Sequence, residues 1–113
     1  MKSKLVSLSN NDDFKNLLKG KKVSNKYFTI FFKRLLNKNN KILNISFVAK
    51  KNLGNAVNRN KIKRRLKNIM NLAIKELSIN FDYSYLVIAK NSILKDEYLS
   101  IKKTLFSDFK KIK

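Results

Sequence analysis

The residues best suited to chemistry lie in one basic segment, residues 50–67, which reads KKNLGNAVNRNKIKRRLK. This segment has eight cationic side chains and no acidic one, and it holds three of the chain's four arginines: Arg59, Arg64 and Arg65. An arginine presents a planar fork of donors that matches phosphate and stacks on bases, whereas a lysine presents only a point charge. The segment therefore predicts a surface that binds a polyanion.

The basic segment leads into a predicted amphipathic helix that begins near Asn58, because asparagine caps free N–H groups of a first turn. Apolar residues then recur at spacings of three and four, which is typical of one buried stripe. The stripe consists of Ile62, Leu66, Ile69, Met70, Ala73, Ile74 and Leu77. Cations crowd the first turns, where the helix dipole disfavours them and free N–H groups favour phosphate. This conflict indicates selection for function rather than for stability.

Composition also favours a polyanionic partner and a folded chain. The net charge is +20, and residues 14–75 contain 18 cations and no acid, so self-repulsion opposes compaction unless a polyanion relieves it. The hydrophobic fraction of 43%, with eight phenylalanines and four tyrosines, argues against a disordered basic tail. A chain of 113 residues predicts a single domain, residues 1–113.

The residue types exclude several classes of enzyme. Without cysteine or histidine, the chain has no thiol nucleophile, no zinc site of the Cys/His type and no histidine acid–base catalyst. The seven acids are dispersed and mostly explained as helix caps or surface residues, so we predict no catalytic residue and no independent two-metal nuclease. No secretory signal and no bilayer-spanning stretch occur, which predicts a cytoplasmic protein.

Periodicity predicts the remaining elements in the order α-β-β-(β)-α-β-α. After a basic lead-in at residues 1–9, they are a helix at 12–19, strands at 23–34 and 42–49, a possible short strand within 50–57, the basic helix to about residue 78, a strand at 83–90 and a helix at 95–110. A cap within residues 9–11 starts the first helix and Gly20 ends it. A polar turn occupies 35–41, and Asp96 and Glu97 fall in the first turn of the last helix. The pattern predicts an α+β fold, a single-domain sandwich of helices on a small mixed sheet.

The strand at 23–34 has aromatic residues on both faces. Phe28, Ile30 and Phe32 point one way, whereas Tyr27, Thr29 and Phe31 point the other. The second set has two interpretations, a platform that stacks unpaired bases or a face buried beneath a helix.

The basic segment resembles the signature of bacterial ribonuclease P protein subunits, Lys-Lys-x-x-Gly-x-Ala-Val-x-Arg-Asn-x-x-Lys-Arg on a loop and the following helix. The matching residues are Lys50, Lys51, Gly54, Ala56, Val57, Arg59, Asn60, Lys63 and Arg64. Asn52 stands where a lysine is common, and Lys67 where an arginine is usual. The resemblance implies that parallel strands flank the basic helix and are joined by a left-handed βαβ crossover.

The resemblance further implies a non-catalytic protein component of an endoribonuclease. A catalytic RNA and the substrate would hold most of the required Mg²⁺, and the RNA would remove the 5′ leader of precursor tRNA. Residues that bind the RNA would be Lys50, Lys51, Asn55, Arg59, Asn60, Lys61, Lys63, Arg64, Arg65 and Lys67. A cleft for the leader would contain Phe14, Asn25, Lys26 and Phe31. The implied partners are the catalytic RNA and precursor tRNA, with no membrane and no obligate protein partner, and no metal site on the protein is assigned.

Two other classes of protein share the basic composition. A structural ribosomal protein would bind ribosomal RNA and leave precursor tRNA cleavage unchanged. A nucleoid-type protein would prefer duplex DNA, whereas a face that stacks unpaired bases favours RNA.

Overall fold

A computed structural model of the chain describes residues 5–8, 10–35, 38–39 and 41–112. The elements in chain order are β1 (Leu5–Val6), α1 (Asn11–Leu18), β2 (Lys21–Ser24), β3 (Phe28–Lys33), β4 (Leu43–Val48), α2 (Ala56–Glu76), β5 (Ser84–Ala89) and α3 (Tyr98–Lys111). Short 3₁₀ turns at Lys51–Leu53 and Asn91–Leu94 precede α2 and α3. The predicted lead-in at residues 1–9 and polar turn at 35–41 lie partly outside the described residues.

The strands form one mixed sheet in the order β1-β4-β5-β3-β2. β4 runs parallel to β5 and to β1, whereas β3 is antiparallel to both β5 and β2. This arrangement confirms the predicted α+β fold. The two strands that flank α2 are parallel neighbours, while the left-handed crossover between them stays a prediction.

Helices cover both faces of the sheet. α2 and α3 pack on the face that carries Phe28, Ile30, Ile45 and Tyr85. α1 packs on the opposite face, where Leu17 meets Leu86 in a second, smaller cluster. Central strand β5 is buried almost throughout, as its apolar sequence predicts for a strand covered on both sides. Among the described residues, no helix is both long and apolar enough to cross a membrane.

The buried stripe of α2 follows the prediction, but its first residue does not. Ile62, Leu66, Ile69, Met70 and Ala73 are buried, and Ile74 and Leu77 pack partly buried against the same core. The predicted start near Asn58 is wrong, because the helix begins at Ala56 and is capped by Asn55, whose Oδ1 accepts from the Asn58 N–H at 2.9 Å. Gly54 just before it has a φ of 120°, a conformation open to glycine, and so turns the chain into the helix earlier than expected.

The single strand predicted at residues 23–34 is in fact two strands joined by a turn. Asn25 makes the turn, because its Oδ1 accepts from the N–H groups of Tyr27 at 2.7 Å and Phe28 at 3.0 Å. Asparagine forms such turns through its own side chain, so no glycine or proline marks this one. The placement of Tyr27 on the second face is also wrong, since its side chain is buried in the core beneath α2 and α3.

The beginning of α3 also differs from the prediction. Asp96 and Glu97 precede the helix, which begins at Tyr98 and has no acid in its first turn. Asp96 instead accepts a 2.5 Å hydrogen bond from the Tyr27 hydroxyl and lies 3.0 Å from Lys26 Nζ. Asp96 was expected to interact favourably with the dipole of the last helix, but it makes a tertiary contact instead.

Two further details lie outside the sequence-based predictions. β1 was not anticipated, and the chain after it is fixed by Ser46, whose Oγ accepts from the Leu8 N–H at 2.8 Å. Gly20 follows α1 as expected, but the reason is steric. A Cβ at Gly20 would lie 2.7 Å from the Phe32 carbonyl oxygen, so glycine permits close approach to β3.

Candidate nucleic-acid interface

The basic segment forms an exposed surface on the loop and the first half of α2, and we call its ten predicted RNA-binding residues the motif surface. Arg59 is half-buried and the other nine are exposed: Lys50, Lys51, Asn55, Asn60, Lys61, Lys63, Arg64, Arg65 and Lys67. Leu53 is 2% exposed and fixes the loop to the core. Because the apolar stripe of α2 faces the sheet, its cations are directed away from the core.

No carboxylate in the described part of the chain pairs with a cation of the motif surface. The ion pairs of the described chain lie elsewhere and involve Lys26, Lys38 and Lys111. Like charges on one helix repel each other, and nothing within the described fold offsets that repulsion. The surface is therefore electrostatically suited to a polyanion from outside the chain.

Arg59 differs from the other cations of the motif surface in its burial. Its Nε is buried, yet it has no hydrogen-bond partner among the described residues. A buried donor without a partner costs about 1–3 kcal/mol. Because the Nε atom is buried, a phosphate oxygen from outside could bond to it only if the Arg59 side chain changed conformation.

The motif surface extends over two sides of α2. Asn60, Lys63 and Arg64 line a shallow depression together with Val57, which is 71% exposed. Lys61 and Arg65 instead face a groove between α2 and the chain entering α3. The cations therefore form a wide band rather than one point of contact.

The predicted leader cleft corresponds to the sheet face that carries α1. Phe14 of α1 and Phe31 of β3 are both half-buried and pack against the cluster of Leu8, Leu17 and Leu86. The structure therefore brings these two predicted aromatics to one side of the sheet. Both side chains are partly buried and partly accessible, so burial alone does not decide between the two interpretations offered for this face.

An open groove beside Phe31 connects this face to the motif surface. Its lining includes Thr29, Phe31 and Ile88 of the sheet, together with Lys50 and Lys90. A groove lined by an aromatic ring and two lysines could offer a surface for a base and charge for its phosphates. Lys90 was not among the predicted site residues. The sequence offers only a weak indication of its role, because the resembled family commonly has an arginine at this position.

Asn25 and Lys26 lie at the β2–β3 turn, and neither lines the groove that contains Phe31. The Asn25 Nδ2 donates to Asp108 at 2.6 Å, and Lys26 pairs with Asp96 while lying over the Tyr27 ring, 5.2 Å from its centroid. Their link to the groove is Lys90, whose Nζ donates to the Asn25 carbonyl oxygen at 2.5 Å. Both side chains already have partners within the fold.

The pKa shifts near this turn arise from the same contacts. The hydrogen bond from the Tyr27 hydroxyl, followed by that from Lys26, lowers the pKa of Asp96 below its ordinary value. The hydrogen bond to Asp96 raises the pKa values of Lys26 and Tyr27. These shifts favour the charged forms of Asp96 and Lys26 and the neutral form of Tyr27. These are the forms in which the three groups bond to one another, so the contact is structural.

Two further acids, Asp13 and Asp108, are engaged in contacts within the fold. Asp13 pairs with Lys38 at 2.6 Å, and Asp108 is 5% exposed beneath Asn25. Within residues 5–8, 10–35, 38–39 and 41–112, no three side chains of the metal-binding types His, Cys, Asp and Glu come together. What the described residues do bring together is a basic band and a partly accessible aromatic face.

The family model and the relatives that match this chain all belong to one protein family. A family model described as Ribonuclease P matches residues 2–113. The ribonuclease P protein component of Mycoplasma mycoides subsp. mycoides is 31% identical over 114 residues, covering 100% of both chains. That of Streptococcus agalactiae is 30% identical over 103 residues, covering 90% of this chain and 89% of the relative.

Solved structures of similar fold carry the same name. The ribonuclease P protein of Thermotoga maritima superposes with a TM-score of 0.78 at 22% identity, covering 96% of this chain and 98% of that chain. The ribonuclease P protein of Staphylococcus aureus superposes with a TM-score of 0.74 at 28% identity, covering 94% and 93%. The sheet order and the three helices described above are therefore a known arrangement.

Proposed function

The chain belongs to the ribonuclease P protein family, and we propose that it has two tasks within that endoribonuclease. One task is to dock on the catalytic RNA through the motif surface. The other is to hold the 5′ leader of precursor tRNA on the sheet face that carries Phe14 and Phe31. Membership itself makes the chain a component of ribonuclease P, associated with its RNA and with tRNA processing.

The observation that carries the docking task is the band of exposed cations on α2 that has no acidic partner in the described chain. Neutralising phosphates with such side chains releases counterions and supplies most of the affinity for a nucleic acid. Half-buried Arg59 adds a planar guanidinium group, whose fork of donors matches phosphate. Docking then screens the phosphates of the RNA while α2 stays anchored by its apolar stripe.

The leader task is supported by the groove beside Phe31. A single strand is bound by stacking bases on aromatic rings while lysines follow its backbone. Phe31, Lys50 and Lys90 all line this groove, and Phe14 packs on the same cluster as Phe31. Lys50 also belongs to the motif surface, so a leader here would lie close to the docked RNA. We include Lys90 among the leader residues on this ground.

The chemistry of leader removal is assigned to the RNA partner. Three of the seven acids, Asp13, Asp96 and Asp108, pair with Lys38, Lys26 and Asn25, and the described residues provide no clustered ligands that fit a protein-held ion. The Mg²⁺ ions for phosphodiester cleavage would therefore be held mainly by the RNA and the substrate. The protein would act in the cytoplasm, without an obligate protein partner.

The ribosomal and nucleoid alternatives are not favoured by any contact within the described part of the chain. The family match over residues 2–113 favours ribonuclease P, and a face that stacks unpaired bases favours single-stranded RNA over duplex DNA.

The proposal is tested by comparing two ligands of the reconstituted complex with the catalytic RNA. Precursor tRNA with a 5′ leader should bind the complex more tightly than mature tRNA, and the difference should disappear with the RNA alone. Equal affinity for both ligands in the presence of the protein would contradict the leader task. Failure of the protein to bind the catalytic RNA would contradict the docking task.

A further inference from the structure

A groove between α2 and the chain entering α3 has the composition of a nucleotide site. One side carries Lys61 and Arg65, the other carries Leu94 and Tyr98, and buried Ile62 and Ile101 lie between them. The groove encloses about 400 Å³, within the range of about 300–1,000 Å³ that is usual for small-ligand sites. It lies away from Phe14 and Phe31, neither of which lines it.

The apolar side of this groove is unusually exposed. Leu94 is 51% exposed and Tyr98 is 37% exposed, and adjacent Leu99 is 61% exposed. Leu94 and Tyr98 line the same groove, and exposed apolar side chains that lie together are typical of a surface that contacts a partner. Leu99 does not line the groove, which makes it a natural internal control.

The basic side of the groove selects an anionic partner. Lys61 and Arg65 lie one helical turn apart and are both exposed, and no described residue that lines the groove is acidic. A second copy of this chain would bring a net charge of +20 against the same cations, so charge disfavours self-association here. An RNA strand offers both phosphates for the cations and a flat base for the apolar side.

We propose that this groove accepts one unpaired nucleotide of the RNA partner. The base lies against Tyr98 and Leu94, and its phosphates contact Lys61 and Arg65. Aromatic side chains hold unpaired bases in this way when neighbouring cations follow the backbone. The proposal rests on the proposed docking on the catalytic RNA, and it extends that interface from α2 to the beginning of α3.

The first test uses fluorescence, because the chain contains no tryptophan. Tyr98→Trp places a single fluorophore in the groove, and Leu99→Trp places one on the next residue outside it. Titration with the catalytic RNA should quench Tyr98→Trp strongly through stacking and change Leu99→Trp little. Equal changes in both variants, or none in Tyr98→Trp while the RNA binds, would overturn the proposal.

The second test measures affinity for the same RNA over a range of salt concentrations. Tyr98→Ala should weaken binding about 5- to 150-fold, the range that corresponds to the removal of one stacked base, without changing the salt slope. Leu99→Ala should bind like the wild type. If the wild type binds and Tyr98→Ala equals it, the nucleotide site is wrong although docking stands, whereas a wild type that does not bind contradicts docking itself.

Two controls keep these outcomes interpretable. Tyr98→Phe retains the ring and should retain affinity, so that weak binding by Tyr98→Ala is attributed to the ring and not to the hydroxyl group, and equal urea unfolding of Tyr98→Ala and the wild type excludes a folding defect. The fluorescence of Tyr98→Trp is also followed as protein concentration rises without RNA. A change under those conditions would show that a second copy of the chain fills the groove, and it would overturn the proposal.

Discussion

Asn25 in the β2–β3 turn donates a 2.6 Å hydrogen bond to Asp108 in α3, across 83 positions of sequence. Asp108 is 5% exposed, so the contact closes a buried polar site between the hairpin and the last helix. The Oδ1 of the same amide accepts from two N–H groups of its own turn. One side chain therefore defines a turn and connects it to a distant element.

We expect Asn25→Ala to lower the free energy of unfolding by about 1.5–3 kcal/mol, the range for hydrogen bonds to charged groups. The decrease follows because a buried carboxylate is left without its donor. Urea unfolding of the wild type and the variant measures it. Affinity for leader-bearing precursor should be unchanged where the variant is folded. Unchanged stability with selectively weaker leader binding would instead place Asn25 in the cleft.

Asn25→Asp is the matched control for this position. It keeps the Oδ1 acceptor and the shape but places a second carboxylate beside Asp108. Two adjacent carboxylates cannot both ionise without cost. The variant should be less stable than Asn25→Ala at neutral pH and should recover part of the difference near about pH 4, where carboxyl groups begin to protonate.

Phe31→Leu tests the leader site while retaining apolar volume. Phe31 packs partly against the cluster of Leu8, Leu17 and Leu86, so leucine preserves much of that packing and removes the ring. If a leader base stacks on Phe31, affinity for precursor tRNA should fall about fivefold or more, equivalent to about 1 kcal/mol. Mature tRNA should bind as before.

Phe106→Leu serves as the comparison for Phe31→Leu. Phe106 is also half-buried, but it packs on the core beneath α2 and α3. Its variant should leave the affinity for both tRNA forms unchanged. Equally weakened binding of precursor and mature tRNA in Phe31→Leu would identify Phe31 as a residue of the core alone.

Arg64→Ala tests whether the motif surface touches the RNA backbone. Removing one phosphate contact should reduce the magnitude of the log–log salt slope by about 0.9. Binding of the catalytic RNA at several salt concentrations gives this slope. Lys103→Ala removes an exposed cation of α3 and should leave the slope unchanged. A slope in Arg64→Ala identical to that of the wild type would exclude a phosphate contact at this residue.

Tyr27→Phe tests the hydrogen bond to Asp96 through its pH dependence. The Tyr27 hydroxyl is the main cause of the lowered pKa of Asp96. A lowered carboxyl pKa stabilises the fold above the unfolded value, about 3.9, and this stability is lost as pH falls through the folded pKa. The raised pKa of Tyr27 stabilises the fold below about pH 10, and this stability is lost as pH rises through the folded pKa.

The stability difference between wild type and Tyr27→Phe should therefore be largest between about pH 4 and 10 and should shrink on either side. Thermal unfolding measured from below about pH 4 to above about pH 10 tests this dependence. Tyr98→Phe changes an exposed tyrosine and should give a curve parallel to the wild type. A Tyr27→Phe difference that is constant into acid would exclude Asp96 as the partner that matters.

Much of the fold was predictable because the apolar patterns along the sequence match the residues that are buried in the structure. The buried face of α2 was predicted from the spacing of its apolar residues. Strand β5 was predicted from its nearly uniform apolar run. The break between β2 and β3 was not, because Asn25 makes it with a polar side chain that resembles many others in this sequence. β1 has only two residues, too few for a periodic pattern. Asp96 was misinterpreted because its partner, Tyr27, lies 69 positions away.

The motif surface was predictable for a different reason. Its cations lie close together in sequence, so their spacing is visible without a fold. The groove beside Phe31 is not visible in this way, because it needs β3, β5 and the loop before α2 to meet. Lys90 enters it only because the sheet brings residue 90 beside Ser24 and Asn25. The groove beside α3 likewise depends on how Tyr98 meets α2.

The central claim is tested most directly by 5′-leader removal from a precursor tRNA at low magnesium concentration. A bacterial ribonuclease P RNA is assayed with and without this protein, and the protein is assayed alone. The account predicts strong stimulation by the protein and no cleavage by the protein alone. Tight RNA binding without stimulation would contradict the leader task, and cleavage by the protein alone would contradict the assignment of catalysis to the RNA.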